Sequence, residues 1–340
     1  MRRPDERGSD DATVRVGVVG AGAMGADHVR TLSGVVPGAR VSEVFDADRG
    51  RAEAVAGPAE ALVAASGAAL IGSSGVDAVL VCSPDSTHAD LVRACIAAGK
   101  PVLCEKPLAL TPEESASVVD SEVAAGRRLV QVGFMRRYDP GFAAIRETAS
   151  SGAIGEPRLV HFVHRNVSSH TSTTSANLVT GSMIHELDTV RWLLDDEIAS
   201  IEVRSPLADG FRDPQLATVR MRSGVLVSIE VFVNATYGYD VRCELVGTTG
   251  TVSLAQPQPV TLRRDGADVV PVPGDFVTRF ADAYRLELTD WVAAASDGRV
   301  RGPGAWDGHL ANVAAEAGVR ALSSGERVQV DEQERPALYA

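Results

Sequence analysis

Lysine is nearly absent: only Lys100 and Lys106 stand among the 33 basic residues of this 340-residue chain. The chain uses arginine wherever either residue serves. A lysine that persists is therefore a candidate for a role arginine cannot fill, since only lysine readily gives up its proton near neutral pH. Cysteine is scarce too. Cys82, Cys95, Cys104 and Cys243 form no C-x-x-C pair and no zinc-type spacing with histidine. They read as buried thiols of a reducing compartment, not as a disulfide framework. His161 and His164 come nearest to a metal pair, but at i and i+3 on a strand they point to opposite faces, and no metal is expected.

No apolar run reaches the ~18 residues that cross a bilayer, which argues against a membrane partner. Met1–Asp11 is polar and lacks the apolar stretch of a signal peptide. Residues 1–13 are expected to be a disordered tail and the protein to be cytoplasmic. Positive charge is short as well. The net charge is -12, and the pair Arg136-Arg137 is too small a patch to hold a phosphate backbone, so no nucleic-acid partner is expected.

What remains is an ordinary globular composition, 45% hydrophobic and 23% charged, on a chain long enough for two domains. Strand patterns at Val14–Val19, Val41–Phe45, Asp77–Cys82, Pro101–Cys104 and Leu129–Val132 alternate with helical stretches through about Ser33, over Ser86–Ala98 and over Thr111–Ala125. Such alternation means a doubly wound parallel sheet, a Rossmann domain over 14–134. Beyond it the pattern changes to α+β. A helix near Asp139–Ser150, a strand at Leu159–Val163 and a helix at Ser182–Leu194 precede strands at Ile198–Arg204, Leu216–Met221, Val225–Val233, Val241–Val246 and Val260–Arg263. Two of these alternate with polar residues, as in a large, open, mainly antiparallel sheet. Helices over Phe276–Ala295 and Ala305–Leu322 finish a second domain spanning 135–330, and 331–340 reads as a C-terminal tail. The boundary falls near Gly133–Arg137.

Gly20-Ala21-Gly22-Ala23-Met24-Gly25 follows the first strand and opens a helix, and Asp46 ends the next strand about 20 residues on. Gly20 permits the turn, Gly22 lets the backbone approach a pyrophosphate, and Gly25 lets helix and strand pack closely. The helix N-terminus offers free N–H groups to the anion. Asp46 suits the ribose 2′-hydroxyl and repels a 2′-phosphate, so NAD is expected over NADP, with Arg49 partly offsetting that charge. Ser83 and Pro84 end the third strand where such sheets bind ligands. His88, just beyond, either caps the next helix or touches cofactor.

Glu105-Lys106-Pro107 ends a further strand on the same edge and brings one of the two lysines toward the nicotinamide. With this E-K-P after a G-x-G-x-M-G turn, the chain resembles the Gfo/Idh/MocA oxidoreductases from about Val14 to Val330. Within that family it is most similar to the inositol 2-dehydrogenases, through the blocks Gly133-Phe134-Met135-Arg136-Arg137-Tyr138-Asp139, His164-Arg165-Asn166, Ile184-His185-Glu186-Leu187-Asp188, Tyr237-Gly238-Tyr239-Asp240 and Gly304-Ala305-Trp306-Asp307-Gly308. The resemblance implies an NAD-dependent oxidation of a ring hydroxyl and a homo-oligomer, a tetramer built on the open sheet. It implies that Lys106 contacts the reacting hydroxyl and cofactor while His185 is the general base. It implies too that Met135, Arg136, His164, Asn166 and Tyr239 line the polyol pocket and that Trp306 lies near the nicotinamide or serves packing.

Chemistry agrees with those roles. Oxidising a secondary alcohol releases a proton with the hydride, which a base poised near neutral pH accepts, and an ammonium stabilises the developing alkoxide. Asp188, at i+3 from His185 on one helix face, is placed to orient the imidazole. One departure stands out. Four residues before the histidine the inositol dehydrogenases carry aspartate, and here the residue is Gly181. Either another hydroxyl or ring is read, or Asn177, Thr180 or Ser182 partly replaces the carboxylate, or the enzyme is impaired. The Thr/Ser-rich stretch Ser168–Ser175 is an unusual pocket loop. An aminocyclitol or sugar dehydrogenase of specialised metabolism, and a non-catalytic NAD-binding sensor, are the competing readings.

Overall fold

Short runs rich in valine and leucine make the first six strands, and Gly20, Asp46 and Gly133 close three of them. In chain order β1 (Val14–Val19), α1 (Ala23–Gly34), β2 (Ala39–Phe45), α2 (Arg49–Ala56), β3 (Leu62–Val63), α3 (Gly67–Gly72), β4 (Ala78–Val81), α4 (His88–Ala97), β5 (Val102–Cys104), α5 (Pro112–Ala125) and β6 (Val130–Val132) alternate strand with helix. The computed structural model describes residues 13–255 and 262–340, so all but the last residue of the expected tail over 1–13 lies outside the described residues. All pairings among these strands are parallel, in the order β3-β2-β1-β4-β5-β6. The order reverses between β1 and β4, which puts a ligand crevice at the carboxyl ends of those two strands. α2, β3 and α3 were not evident in sequence, because residues 49–72 mix alanine and glycine without a clear period. Local caps define both helices: Asp48 accepts from the Arg51 N–H and Ser66 from the Ala69 N–H.

The chain divides into two units, and the division is not a single cut. Met1–Gly133, Tyr284–His309 and Arg335–Ala340 form one, and Phe134–Ala283 with Leu310–Glu334 form the other. The second unit contains α6 (Pro140–Ser150), β7 (Pro157–Arg165) and a short turn α7 (Ser175–Asn177), whose π-helical continuation Leu178–Met183 runs into α8 (Ile184–Leu194). Then follow β8 (Ile198–Arg204), β9 (Gln215–Met221), β10 (Leu226–Phe232), β11 (Asp240–Gly247), β12 (Thr251–Ser253), β13 (Leu262–Arg264) and β14 (Ala267–Val269). The chain closes with α9 (Phe276–Arg279), α10 (Ala281–Ala295), α11 (Ala305–Ser324) and β15 (Val328–Gln329). Seven strands form one sheet, β12-β11-β7-β10-β9-β8-β15, antiparallel throughout except for the parallel pair β7–β10. Burial along β9 alternates strictly, with Gln215, Ala217, Val219 and Met221 inside, so one face is core and the other is presented outward.

Three expectations need correction. The helix expected over Phe276–Ala295 breaks at Phe280, and α10 packs on the core of the first unit. Its Leu288, Trp291 and Val292 are buried with Val16, Val18, Leu80 and Leu103; each aliphatic burial of that kind is worth about 1.5–3 kcal/mol. The strand expected at Val260–Arg263 lies partly outside the described residues, and Leu262–Arg264 pairs only with Ala267–Val269 in a separate exposed hairpin. The C-terminal residues are not a loose tail. Tyr339 stacks on Trp306 with ring centroids 6.1 Å apart and donates a hydrogen bond to the buried Glu122, which caps the start of β6 through the Leu129 and Val130 amides. No helix among the described residues is long and apolar enough to cross a membrane.

Candidate active site

The glycine-rich turn is built as its spacing requires. Gly20 has φ +100°, and a Cβ there would stand 2.5 Å from the Cys82 carbonyl and the Ser83 nitrogen. A Cβ at Gly25 would strike the Gly20 carbonyl oxygen at 1.9 Å. At Gly22 a Cβ would meet nothing within 4 Å, so this glycine faces open space, and as N-cap it leaves the first amides of α1 without a side-chain partner. Backbone bare of side chain, at a helix N-terminus on a switch point, fits a pyrophosphate.

Asp46 sits at the tip of β2. Its Oδ2 accepts from the Ala21 N–H at 2.8 Å and its Oδ1 from the Asp48 N–H at 2.8 Å. Burial works to raise its pKa, but these two amides and the Arg51 guanidinium at 3.1 Å outweigh burial and hold it below the ordinary carboxylate value. The anion therefore braces the cofactor turn. The offsetting cation is Arg51 rather than Arg49, which pairs with Glu53 instead.

Ser83 and Pro84 follow β4 at the expected edge, with Ser83 Oγ 2.6 Å from Thr87 Oγ1. His88 is turned inward. It is 1% exposed, and its ring nitrogens lie 2.7 Å from the Pro107 carbonyl and 2.9 Å from the Ser83 carbonyl, so it staples the β4 and E-K-P turns from behind. Glu105 is likewise directed into the unit: its Oε1 meets His28 Nε2 at 2.8 Å and its Oε2 accepts from the Lys106 N–H at 3.3 Å. Lys106 itself is half-buried at the end of the same strand. Trp306 is packed against His309 and Tyr339.

In the second unit, the residues named from sequence gather around α8. Arg136 is 1% exposed, forms a salt bridge with the fully buried Glu186, and directs a second nitrogen to His164 Nδ1 at 3.3 Å. Glu186 Oε2 also meets His164 Nδ1, at 3.2 Å. The guanidinium lies 5.8 Å from the ring centres of both Phe142 and Phe280. His164 stands edge-on to Tyr239 at 5.8 Å, and its ring centre is 6.3 Å from that of His185. Burial would raise the pKa of Glu186, but Arg136 and His164 overcome it and keep the carboxyl ionised below its usual range. Burial pushes the Tyr239 phenol up to about 12 despite the Arg136 charge beside it.

Asp188, the expected orienting group, is gripped by Arg137 through two bonds of 2.5 and 2.9 Å. Met135 is buried beside Arg136 on the same turn. Asn166 continues the β7 ladder, its N–H donating to the Phe232 carbonyl, and its Oδ1 is buried without a hydrogen-bond partner among the described residues. Gly181 lies in the π-helical turn, where an added Cβ would meet nothing within 4 Å. As strand geometry requires, His161 points the other way from His164: it is exposed and meets Ser228 Oγ at 2.8 Å.

Two groups went unnoticed in the sequence, Glu186 and His28. Glu186 stands inside the quoted I-H-E-L-D block, and a glutamate among apolar neighbours and histidine was a readable sign of a buried ion pair. No local signal marks His28.

Comparison with known proteins gives the family. Residues 14–134 match the Gfo/Idh/MocA oxidoreductase family with its NAD-binding Rossmann fold, and residues 142–253 match the Gfo/Idh/MocA C-terminal domain. Over 334 residues the chain is 53% identical to inositol 2-dehydrogenase 1 of Saccharopolyspora erythraea, covering 96% of this chain and 99% of that one. It is 43% identical to an inositol 2-dehydrogenase of Klebsiella pneumoniae over 96% and 99% of the two chains. The crystal structure of myo-inositol dehydrogenase from Lactobacillus casei, in complex with NAD(H) and myo-inositol, matches with a TM-score of 0.93 at 35% identity, over 96% of this chain and 100% of that one. The chain belongs to the Gfo/Idh/MocA oxidoreductase family, and its residues 14–134 are an NAD-binding Rossmann domain.

Proposed function

We propose that this protein is an NAD-dependent dehydrogenase of an inositol or related cyclitol, oxidising one ring secondary alcohol to an inosose-type ketone. The observation that carries the reading is the buried, unpartnered Oδ1 of Asn166. It lies two residues along β7 from His164, on the same strand face. Arg136, Glu186 and Tyr239 surround that histidine. Arg136 and Glu186 meet His164 at Nδ1, and in this reading Nε2 is the nitrogen that meets a ligand. An acceptor and an imidazole nitrogen held ready among buried partners suit a ring of hydroxyls, each of which both donates and accepts. The inositol dehydrogenases named above support the same substrate class.

NAD, when bound, accepts the hydride, and the chain must then manage one proton and one developing negative charge. In this reading the His185 imidazole takes the hydroxyl proton. The Lys106 ammonium stands beside the forming alkoxide and stabilises it. Asp188, one turn along α8, orients His185, and Arg137 holds Asp188 in place. Glu105 and His88 act from behind by fixing the loops that carry Lys106.

Reduced nicotinamide absorbance, followed with NAD and a panel of inositol isomers and aldopyranoses, tests the proposal. Turnover on cyclitols is the expected result. Turnover on pyranoses alone sinks the substrate class, and tight NAD binding with no turnover on any polyol makes the protein a sensor.

Gly181 favours a second reading, in which the pocket takes an aminocyclitol or another ring position. Space and backbone both admit a side chain there. In the Gly181→Asp variant we expect kcat/KM on myo-inositol to rise about tenfold, the worth of one added hydrogen bond to charge. An unchanged value means the pocket is shaped for a different compound.

A further inference from the structure

Behind Lys106 the first unit buries a set of ionisable groups that the reaction does not use. His28, on α1, is 0% exposed, and its Nε2 is 2.8 Å from Glu105 Oε1. The second oxygen of that carboxylate accepts from the Lys106 backbone N–H. Glu105 is held on other sides as well. Its own N–H donates to the Val81 carbonyl at 2.9 Å, and Gly133 packs so closely that a Cβ there would stand 3.1 Å from Oε2. The Tyr284 ring closes the far side of His28, edge-on at 5.5 Å.

Glu287 of α10 completes the group. It is 0% exposed, and neither of its oxygens has a hydrogen-bond partner among the described residues. Burial, followed by the Glu105 charge, drives its pKa far above the ordinary value, so it is the neutral acid. Two like carboxylates in one buried site do not both ionise. The single anion of the group is thus Glu105, whose pKa burial would raise but His28 and Lys106 bring below normal.

We propose that His28 is a positioning residue for Lys106, acting through Glu105. The imidazole is carried on the helix whose first turn receives the dinucleotide, about 9 Å along its axis from Gly22. It grips the carboxylate that in turn holds the lysine backbone. One link therefore sets the place of the lysine from the place of the cofactor helix. The inference rests on the role given to Lys106 above.

The test uses the whole enzyme saturated with NAD and cyclitol. His28→Leu is expected to lower kcat about ten- to thirtyfold, the scale of one lost charge-assisted hydrogen bond. The NAD dissociation constant, read by quenching of the protein's tryptophan fluorescence, stays within about threefold. The isotope effect with substrate deuterated at the reacting carbon rises, because the chemical step alone is slowed. His28→Gln, whose amide reaches about as far as Nε2, recovers most of the loss, whereas the shorter His28→Asn does not. Glu287→Gln, neutral like the acid it replaces, keeps kcat within about twofold.

A His28→Leu enzyme with kcat within twofold of the parent overturns the proposal. So does an equal loss in the Gln and Asn variants, or a loss that tracks NAD affinity, since either marks a merely structural residue. Should the Leu variant fail to fold, the Gln and Asn pair decides. Retained turnover in Lys106→Met removes the role of the lysine itself, and the present inference with it. Loss there with no effect at His28 removes this inference alone.

Discussion

Replacing Lys106 by methionine is expected to abolish most turnover while NAD still binds. Methionine keeps a comparable unbranched stem and loses only the ammonium. The expected loss in kcat is about a hundred- to a thousandfold, the usual cost of removing one group that stabilises a developing oxyanion. NAD affinity is expected to stay within several-fold, because the cradle at Gly20, Gly22 and Gly25 and the Asp46 brace are built without the lysine side chain. Single-turnover kinetics beside a fluorescence titration separate the two quantities. A variant that keeps a tenth or more of parental turnover would falsify the assignment. The scarcity of lysine sharpens the experiment: Lys100, the other lysine, is committed to the Ser73 carbonyl at 2.6 Å and cannot substitute.

Arg136→Met is expected to have the largest effect on stability. Arg136 and Glu186 are 1% and 0% exposed, so solvent does little to screen them. Removing one member of such a pair strands the other charge in the interior, at a cost of about 3–5 kcal/mol. In a unit of this size that lowers the melting temperature by about 6–20 °C. Adding Glu186→Gln to the same chain is expected to restore much of the loss, since no charge is then left unanswered.

The effect has a pH signature whose sign follows from Glu186. Its folded pKa lies below the ordinary glutamate value of about 4.5, so in the parent its stabilisation is present above that value and is lost as pH falls through the folded pKa. Without Arg136 the carboxyl takes up a proton more readily. The stability gap between parent and variant therefore narrows on acidification below about pH 4.5. Denaturant unfolding of the single and double variants across pH measures this. A loss of under about 1 kcal/mol, or a double variant no better than the single one, would show that the buried pair carries no such weight.

Several parts of the site were legible because their physics is local. The turn from Gly20 to Gly25 and the E-K-P corner each sit at the end of an apolar strand, and the steric need for glycine at Gly20 and Gly25 acts over a few residues. β1 and β8 run over the residues expected, since each is a short β-branched run with clear ends. The helix start expected at Thr111 is local too, since the Thr111 side chain accepts from the Glu114 N–H.

Other features were closed to sequence reading because they depend on what arrives from far along the chain. The sequence showed a helix over the residues of α10, but not that its Trp291 is answered by β1, β4 and β5 of the Rossmann sheet. Nothing near Tyr339 announces Glu122 or Trp306 as its partners. Position left His88 as either a helix cap or a cofactor contact, and only packing turns both its nitrogens to carbonyls.

By itself the sequence determined the family, the glycine-rich turn of the NAD-binding domain, the alternation of strand and helix, and which residue types are present for the chemistry. Those follow from backbone sterics and from the side-chain periods of two and 3.6. Tertiary structure alone decided which charges are paired, which acid stays neutral, and which histidine faces inward. Burial and the distance between remote groups set those states, and neither is written in local order.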